Sequence, residues 1–207
     1  MKVISNQDIL SLSISPLQCI QWVKESFCMK YDCVLPEKSS IKLHDNIFFN
    51  TIPSFLTPLN RFGVKVVTRY PTRTPSIQGE ISLYDGVDGT FLAFMDASWI
   101  TKMRTGAVAA LTIDKLQKTN ALIYAFMGLG QTAEATLLCL LTLTNPNKII
   151  HVRLLAYKNQ AEKFIETFSY FENISFEVVP TTTELITDAD VVVSCVTAMD
   201  QIVAPDK

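Results

Sequence analysis

Apolar positions follow one rule in the first half of the chain and another in the second, with the change near residue 117. The early runs NIFFNTIPSFL, FGVKVVTRYP and GEISLYD carry aromatic and β-branched residues and end at Pro, Gly or Asp, which predicts a mostly antiparallel sheet. Ahead of them Ser15-Pro16 opens PLQCIQWVKESFCMKY, where Cys19, Ile20, Val23, Phe27 and Cys28 recur at helical spacing. A serine cap and a proline in the first turn mark the start of that helix, which is expected to cover the sheet. Residues 96–116, DASWITKMRTGAVAALTIDKL, lack proline and set Met103, Ala107 and Ala110 on one stripe, predicting a second helix that leads onward. Beyond QKTN, the runs ALIYAFM, KIIHVRLLAY, ISFEVV and DVVVSCV are almost continuously apolar, with helix-like segments between them. That pattern predicts strands buried on both faces of a parallel, doubly wound sheet. The fold class is therefore α/β: an α+β domain over residues 1–117, then a parallel-sheet domain over 118–207.

The strand ALIYAFM runs directly into Gly128-Leu129-Gly130-Gln131-Thr132-Ala133, and EATLLCLLTL continues as a helix. This is G-x-G-x-x-A in a strand-turn-helix setting, which makes the second domain Rossmann-type and points to a dinucleotide. Gly128 permits the tight turn, Gly130 leaves room for a pyrophosphate against the backbone, and Ala133 lets helix and strand pack closely. The alternative is a glycine turn that only joins two elements; the strand-turn-helix context and the parallel-strand pattern favour the dinucleotide. After the next strand an acidic residue is expected to hold the ribose of NAD, but the sequence there is Tyr157-Lys158-Asn159. Lys158 suits a 2′-phosphate, so the cofactor is read as NAD or NADP, with NADP somewhat favoured over a merely solvated lysine.

Composition narrows the partners. At 207 residues and 48% hydrophobic content, two modest domains can each bury a core. A net charge of -2 offers no basic field for a nucleic acid or an anionic membrane. No membrane-length apolar run and no signal-peptide pattern is evident, so a cytoplasmic protein is expected. Five cysteines without a CxxC pair read as reduced thiols, and His44 and His151 are too few and too far apart for a zinc site, so no metal is expected.

The order GVKVVTRYP, GEISLYDGVDGTFLAFMDA (taken as a Gly-containing strand), WITKMRTGAVAAL and GLGQTA resembles that of the ornithine cyclodeaminase and mu-crystallin family over nearly the whole chain. The resemblance implies that the first domain binds substrate and forms a homodimer, with Phe48, Phe49 and Phe55 as candidate surface residues that core packing explains equally well. It implies Lys65 as the catalytic lysine beside the substrate amine, Arg104 as the carboxylate ligand and Thr105 as a cofactor contact; the motif and the strand end read above add Gly128, Leu129, Gly130, Gln131, Thr132 and Lys158 on the cofactor side. Read from the residues alone, Lys65 and Arg104 are more ordinary as solvent-facing cations. The chemistry nonetheless suits them, because a guanidinium fork holds a carboxylate and a lysine between valines can have its pKa lowered by burial. Where relatives carry a second carboxylate-binding arginine in a P-x-R segment, this chain has Leu35-Pro36-Glu37-Lys38, leaving Lys38 as a point charge. Gln131-Thr132 also departs from the small residue then Gln that many relatives place there.

What the resemblance implies is an enzyme that uses NAD(P) on an α-amino or imino acid. The first expectation is cyclodeamination of ornithine to proline and ammonia through an imine. A ketimine reductase or amino acid dehydrogenase is the alternative, and a catalytically silent ligand-binding protein or an inactive fragment is the reading from another class. Only four of roughly six strands of the second domain are counted, so the chain is read as truncated, with the family's acidic catalytic residue expected beyond Lys207.

Overall fold

The computed structural model describes residues 1–44 and 46–196. The chain divides into two compact units, Met1–Lys102 and Met103–Lys207.

In the first unit β1 (Lys2–Ile4), β2 (Ser39–Lys42), β3 (Phe48–Leu56), β4 (Arg61–Arg69), β5 (Ile77–Asp85) and β6 (Phe91–Asp96) form one sheet in the order β1-β6-β5-β4-β3-β2. All neighbours are antiparallel except β1, which runs parallel to β6. The stretch GEISLYDGVDGTFLAFMDA is thus two strands and not one. It folds back where Asp85 Oδ1 accepts from the Val87 amide at 2.8 Å and Asp88 Oδ1 from the Thr90 amide at 2.9 Å, two short side chains closing a turn on their own backbone. Helices α1 (Asn6–Ser11) and α2 (Pro16–Met29) start from Ser5 and Ser15, each in a reciprocal capping box. α2 buries Cys19, Ile20 and Val23, while Phe27 and Cys28 are exposed, so its buried stripe is shorter than the periodicity predicts.

The division between units falls inside α3 (Ser98–Leu116) and not after it. Gly106 accounts for this: a Cβ there would lie 2.4 Å from the carbonyl carbon of Ala135, so α3 meets α4 (Gln131–Leu143) backbone against backbone within the second unit. That unit's sheet contains β7 (Ile123–Met127), β8 (Ile150–Leu155), β9 (Ile174–Val179) and β10 (Val191–Ser194) in the order β10-β7-β8-β9, all parallel. One face carries Tyr124, Phe126, Val152 and Leu154, all but excluded from solvent. Phe126 packs on Phe164 of α5 (Gln160–Thr167), whose ring centroid is 5.0 Å from that of Phe168.

On the opposite face Ala125, Met127 and Val179 pack against Leu185 of α6 (Thr182–Ile186). Along β8 and β9 this face is polar up to Arg153 and Glu177 and turns apolar only at Leu155 and Val179, which corrects the expectation that these strands bury both sides. His151 lies opposite Ser175, Nδ1 to Oγ 2.5 Å, and Arg153 opposite Glu177, Nε to Oε2 2.9 Å. Arg153 Nη1 also donates to the Thr187 and Glu184 carbonyls at 2.6 and 3.0 Å, closing the C-terminal end of α6, where backbone acceptors lack helical partners. Among the described residues no helix is long and apolar enough to cross a membrane.

Asp190 ties the start of β10 to the start of β7. Its Oδ2 accepts from the Leu122 and Ile123 amides at 2.5 and 2.9 Å, and its Oδ1 pairs with Lys118 Nζ. The Lys118 hydrogen bond, then the two amides, pull its pKa from 3.8 down to about 2. A folded pKa below the unfolded one gives stability that is complete above the unfolded value and is lost as pH falls through the folded one. Replacing Asp190→Asn is expected to lower the melting temperature at pH 7 by on the order of 5 °C, and the gap to wild type should shrink steadily between 3.8 and about 2. Thermal unfolding followed by circular dichroism across that range checks this; a gap that stays constant with pH would show that the carboxylate charge is not what stabilises the junction.

Candidate functional site

β7 ends at Met127, and the chain turns at Gly128 with φ +78°. A Cβ at Gly128 would sit 2.7 Å from the carbonyl carbon of Cys195, so both the backbone conformation and the space demand glycine. Leu129 is buried beneath the turn, and Gly130 caps α4 without a side-chain hydrogen bond. A Cβ on Gly130 would meet nothing within 4 Å. Gln131 is exposed and Thr132 half-buried, its carbonyl accepting from Thr136 Oγ1 at 2.8 Å. Ala133 is wholly buried, the close helix-to-strand approach that the motif predicts. The first-turn amides of α4 have no helical acceptors, and the helix dipole adds positive potential at this end. The residues fit a pyrophosphate: open space over Gly130 and, among the described residues, amides at Gln131, Thr132 and Ala133 without a hydrogen-bond acceptor.

β8 lies beside β7 in parallel, so Lys158, just beyond β8, stands at the same end of the sheet as Gly128. Lys158 is exposed, takes a left-handed φ of +51°, and holds its Nζ 5.2 Å from the Tyr157 ring centroid.

In the first unit Lys65 is half-buried at the centre of β4, between Ile52 of β3 and Ile81 of β5. Its Nζ donates to Thr101 Oγ1 at 2.6 Å. Sequence reading did not single out Thr101, and only its place in the first turns of α3, shortly before Arg104, hinted at a role. Lys38 is exposed immediately ahead of β2, whose first residue, Ser39, pairs with Thr51.

Arg104 and Thr105 follow on α3, Arg104 about 4.5 Å along the helix axis from Thr101. Thr105 is half-buried. The Arg104 side chain reaches solvent and has no hydrogen bond or ion pair among the described residues, while surrounding protein desolvates the guanidinium and lowers its pKa. It stays charged at neutral pH all the same. Phe48 shares the sheet face of Lys65, whereas Phe49 and Phe55 point to the other, where Phe55 stacks on Phe62 at 4.2 Å between ring centroids.

Residues 2–206 match the ornithine cyclodeaminase/mu-crystallin family. The Δ1-pyrroline-2-carboxylate reductase of Bacillus cereus is 26% identical over 155 residues, 71% of this chain and 46% of that protein. Mouse ketimine reductase mu-crystallin is 28% identical over 160 residues, 75% of this chain and 49% of that protein. The chain thus spans about half the length of the curated relatives it matches. Among solved structures, Δ1-pyrroline-2-carboxylate reductase of Thermococcus litoralis in complex with NADH and L-proline superposes with a TM-score of 0.87 at 28% identity, covering 98% of this chain and 64% of that one.

The two motif glycines should respond differently to the same change. Gly128→Ala is expected to cost about 1–3 kcal/mol through backbone strain and overlap, and Gly130→Ala, at a position with no strain and no neighbour, less than about 0.5 kcal/mol. Urea unfolding of both variants measures this, and equal losses would contradict the tight turn at Gly128.

Proposed function

The chain belongs to the ornithine cyclodeaminase/mu-crystallin family, and from that premise we propose that it is an NAD(P)H-dependent reductase of α-imino acids. The observation that carries the proposal is the β7–Gly128–Gly130–α4 junction, with open space and free amides where a dinucleotide's pyrophosphate needs them. When bound, the nicotinamide supplies a hydride to the carbon of a C=N bond. Gly128 through Thr132 hold the phosphates, and Thr105 contacts the cofactor. Lys158 provides a cation for a 2′-phosphate where a ribose-binding carboxylate is lacking.

Lys65, kept in place by Thr101, holds a proton at the substrate nitrogen, so that the nitrogen is cationic as hydride arrives and neutral as an amine afterwards. Arg104 has an uncommitted fork for the α-carboxylate, and Lys38 adds a second positive charge. The reaction balances as imine plus NAD(P)H plus a proton giving amine plus NAD(P)+. The names of the relatives favour this net reduction over the ornithine-to-proline cycle expected from the sequence. Self-association of the first unit through the sheet face of Phe49, Phe55 and Phe62 belongs to the same reading.

The test is NADH or NADPH consumption with a five- or six-membered cyclic imino acid, alongside cofactor binding by fluorescence. One mole of cofactor oxidised per mole of amine is expected. Lys65→Met should lower kcat by on the order of 10²–10⁴ while leaving cofactor affinity unchanged. Ammonia release from ornithine with no net cofactor change would instead establish the cyclodeaminase cycle, and tight cofactor binding without turnover a silent binding protein. A tighter Kd for NADPH than for NADH that disappears in Lys158→Ala supports the assignment of Lys158.

A further inference from the structure

The face of the first sheet that carries Lys65 also carries two polar groups for which the proposed reaction has no use. Strand alternation places Lys65, Val67 and Arg69 of β4 on that face, with Ile52, Asn50 and Phe48 of β3 opposite them in turn. Among the described residues Arg69 Nε and Asn50 Oδ1 are both buried without a hydrogen-bond partner. Buried donors and acceptors are nearly always paired, and a guanidinium nitrogen left without an acceptor costs free energy. Among the described residues the one bond of Arg69 is from Nη1 to the Asn46 carbonyl at 3.5 Å, at the outer limit of hydrogen bonding. That contact secures one corner of the guanidinium. It leaves the Nε–Nη2 edge, a pair of parallel N–H donors, without a partner among the described residues.

We propose that Arg69, with Asn50 beside it, is a specificity determinant that binds a second carboxylate at the far end of the substrate, so that this chain prefers amino- and imino-dicarboxylic acids. The proposal rests on the amino- or imino-acid reading of the Lys65 face and deepens it. A carboxylate meeting the Nε–Nη2 edge accepts two charge-assisted hydrogen bonds and satisfies the buried Nε. Asn50 sits between the two cations: it pairs with Val67, midway between Lys65 and Arg69. The Cα atoms of those cations are about 13 Å apart along the strand, a gap that two long side chains converging on one substrate can close. Phe48 and Ile77 flank Arg69 on the neighbouring strands. They are apolar and supply no competing carboxylate.

The experiment is a calorimetric titration of the full chain, saturated with NADH, with L-glutamate and L-2-aminoadipate, each against a ligand that lacks the second charge, L-glutamine and L-norvaline. The acids are expected to bind about tenfold more tightly than the uncharged ligands, as one charge-assisted bidentate contact allows. Arg69→Gln should erase that preference while leaving glutamine affinity within about twofold, and Arg69→Lys, a point charge without the fork, should retain part of it. If Arg69→Gln does not fold, the reduced preference of Arg69→Lys carries the test. Equal binding of acid and amide by the wild-type chain, or a preference undiminished in the variants, overturns the proposal. Failure of the wild-type chain to bind NADH or any amino acid brings down the reductase reading as well, whereas intact NADH and norvaline binding with no preference for acids brings down this inference alone.

Discussion

A side chain cannot be accommodated at Gly128, because its φ of +78° and the carbonyl of Cys195 leave neither the conformation nor the room for a Cβ. The layout of the second unit follows from that constraint. The turn is tight enough for α4 to start within a few residues of β7, and the small, wholly buried Ala133 lets the helix lie against the strand. Gly106 does the same between helices, where α3 and α4 touch backbone to backbone at Ala135. Small residues thus set two distances in the unit, strand to helix and helix to helix, and the free amides of α4 end up fixed in direction. A flexible glycine linker would offer the same amides without aiming them.

The parts of the fold visible in the sequence are those whose signal is local. GLGQTA between an apolar run and a proline-free helix, and Ser15-Pro16 ahead of α2, announce themselves because caps and turns act over a few residues. β1, α1 and β2, at three, six and four residues, are too short for any hydrophobic period to register. The β5–β6 hairpin was missed for a different reason. Asp85 marks the end of the run GEISLYD, but nothing local in GVDG says that FLAFMD returns beside that run instead of continuing it.

The polar face of β8 and β9 escaped because counting apolar residues over a run hides alternation: His151, Arg153, Ser175 and Glu177 each stand between apolar neighbours yet share one side. Whether Lys65 faces solvent could not be decided from its flanking valines, since both faces of that sheet are partly apolar. Its partner Thr101 lies 36 residues away, a separation that sequence spacing does not encode. Arg69 and Asn50 are legible only once strand register is known, because their interest comes from sharing a face with Lys65.

β7 carries two unlike electrostatic arrangements at its two ends. At its start Asp190 gathers a lysine and two backbone amides around a carboxylate; at its finish the chain leaves a helix N-terminus whose cap, Gly130, brings no side chain, with Glu134 as the acidic residue of the first turn. Both ends concentrate N–H donors, but one set is committed to an internal anion and the other is left for an external one. The strand between them is five residues, about 17 Å. Lys118 and the two amides compensate the Asp190 charge where it sits, so little of it opposes a phosphate at Gly130. The anion that holds the sheet together therefore sits where it does not weaken attraction for the anion proposed to bind, and the edge of the sheet can be stabilised electrostatically without lowering affinity at its mouth.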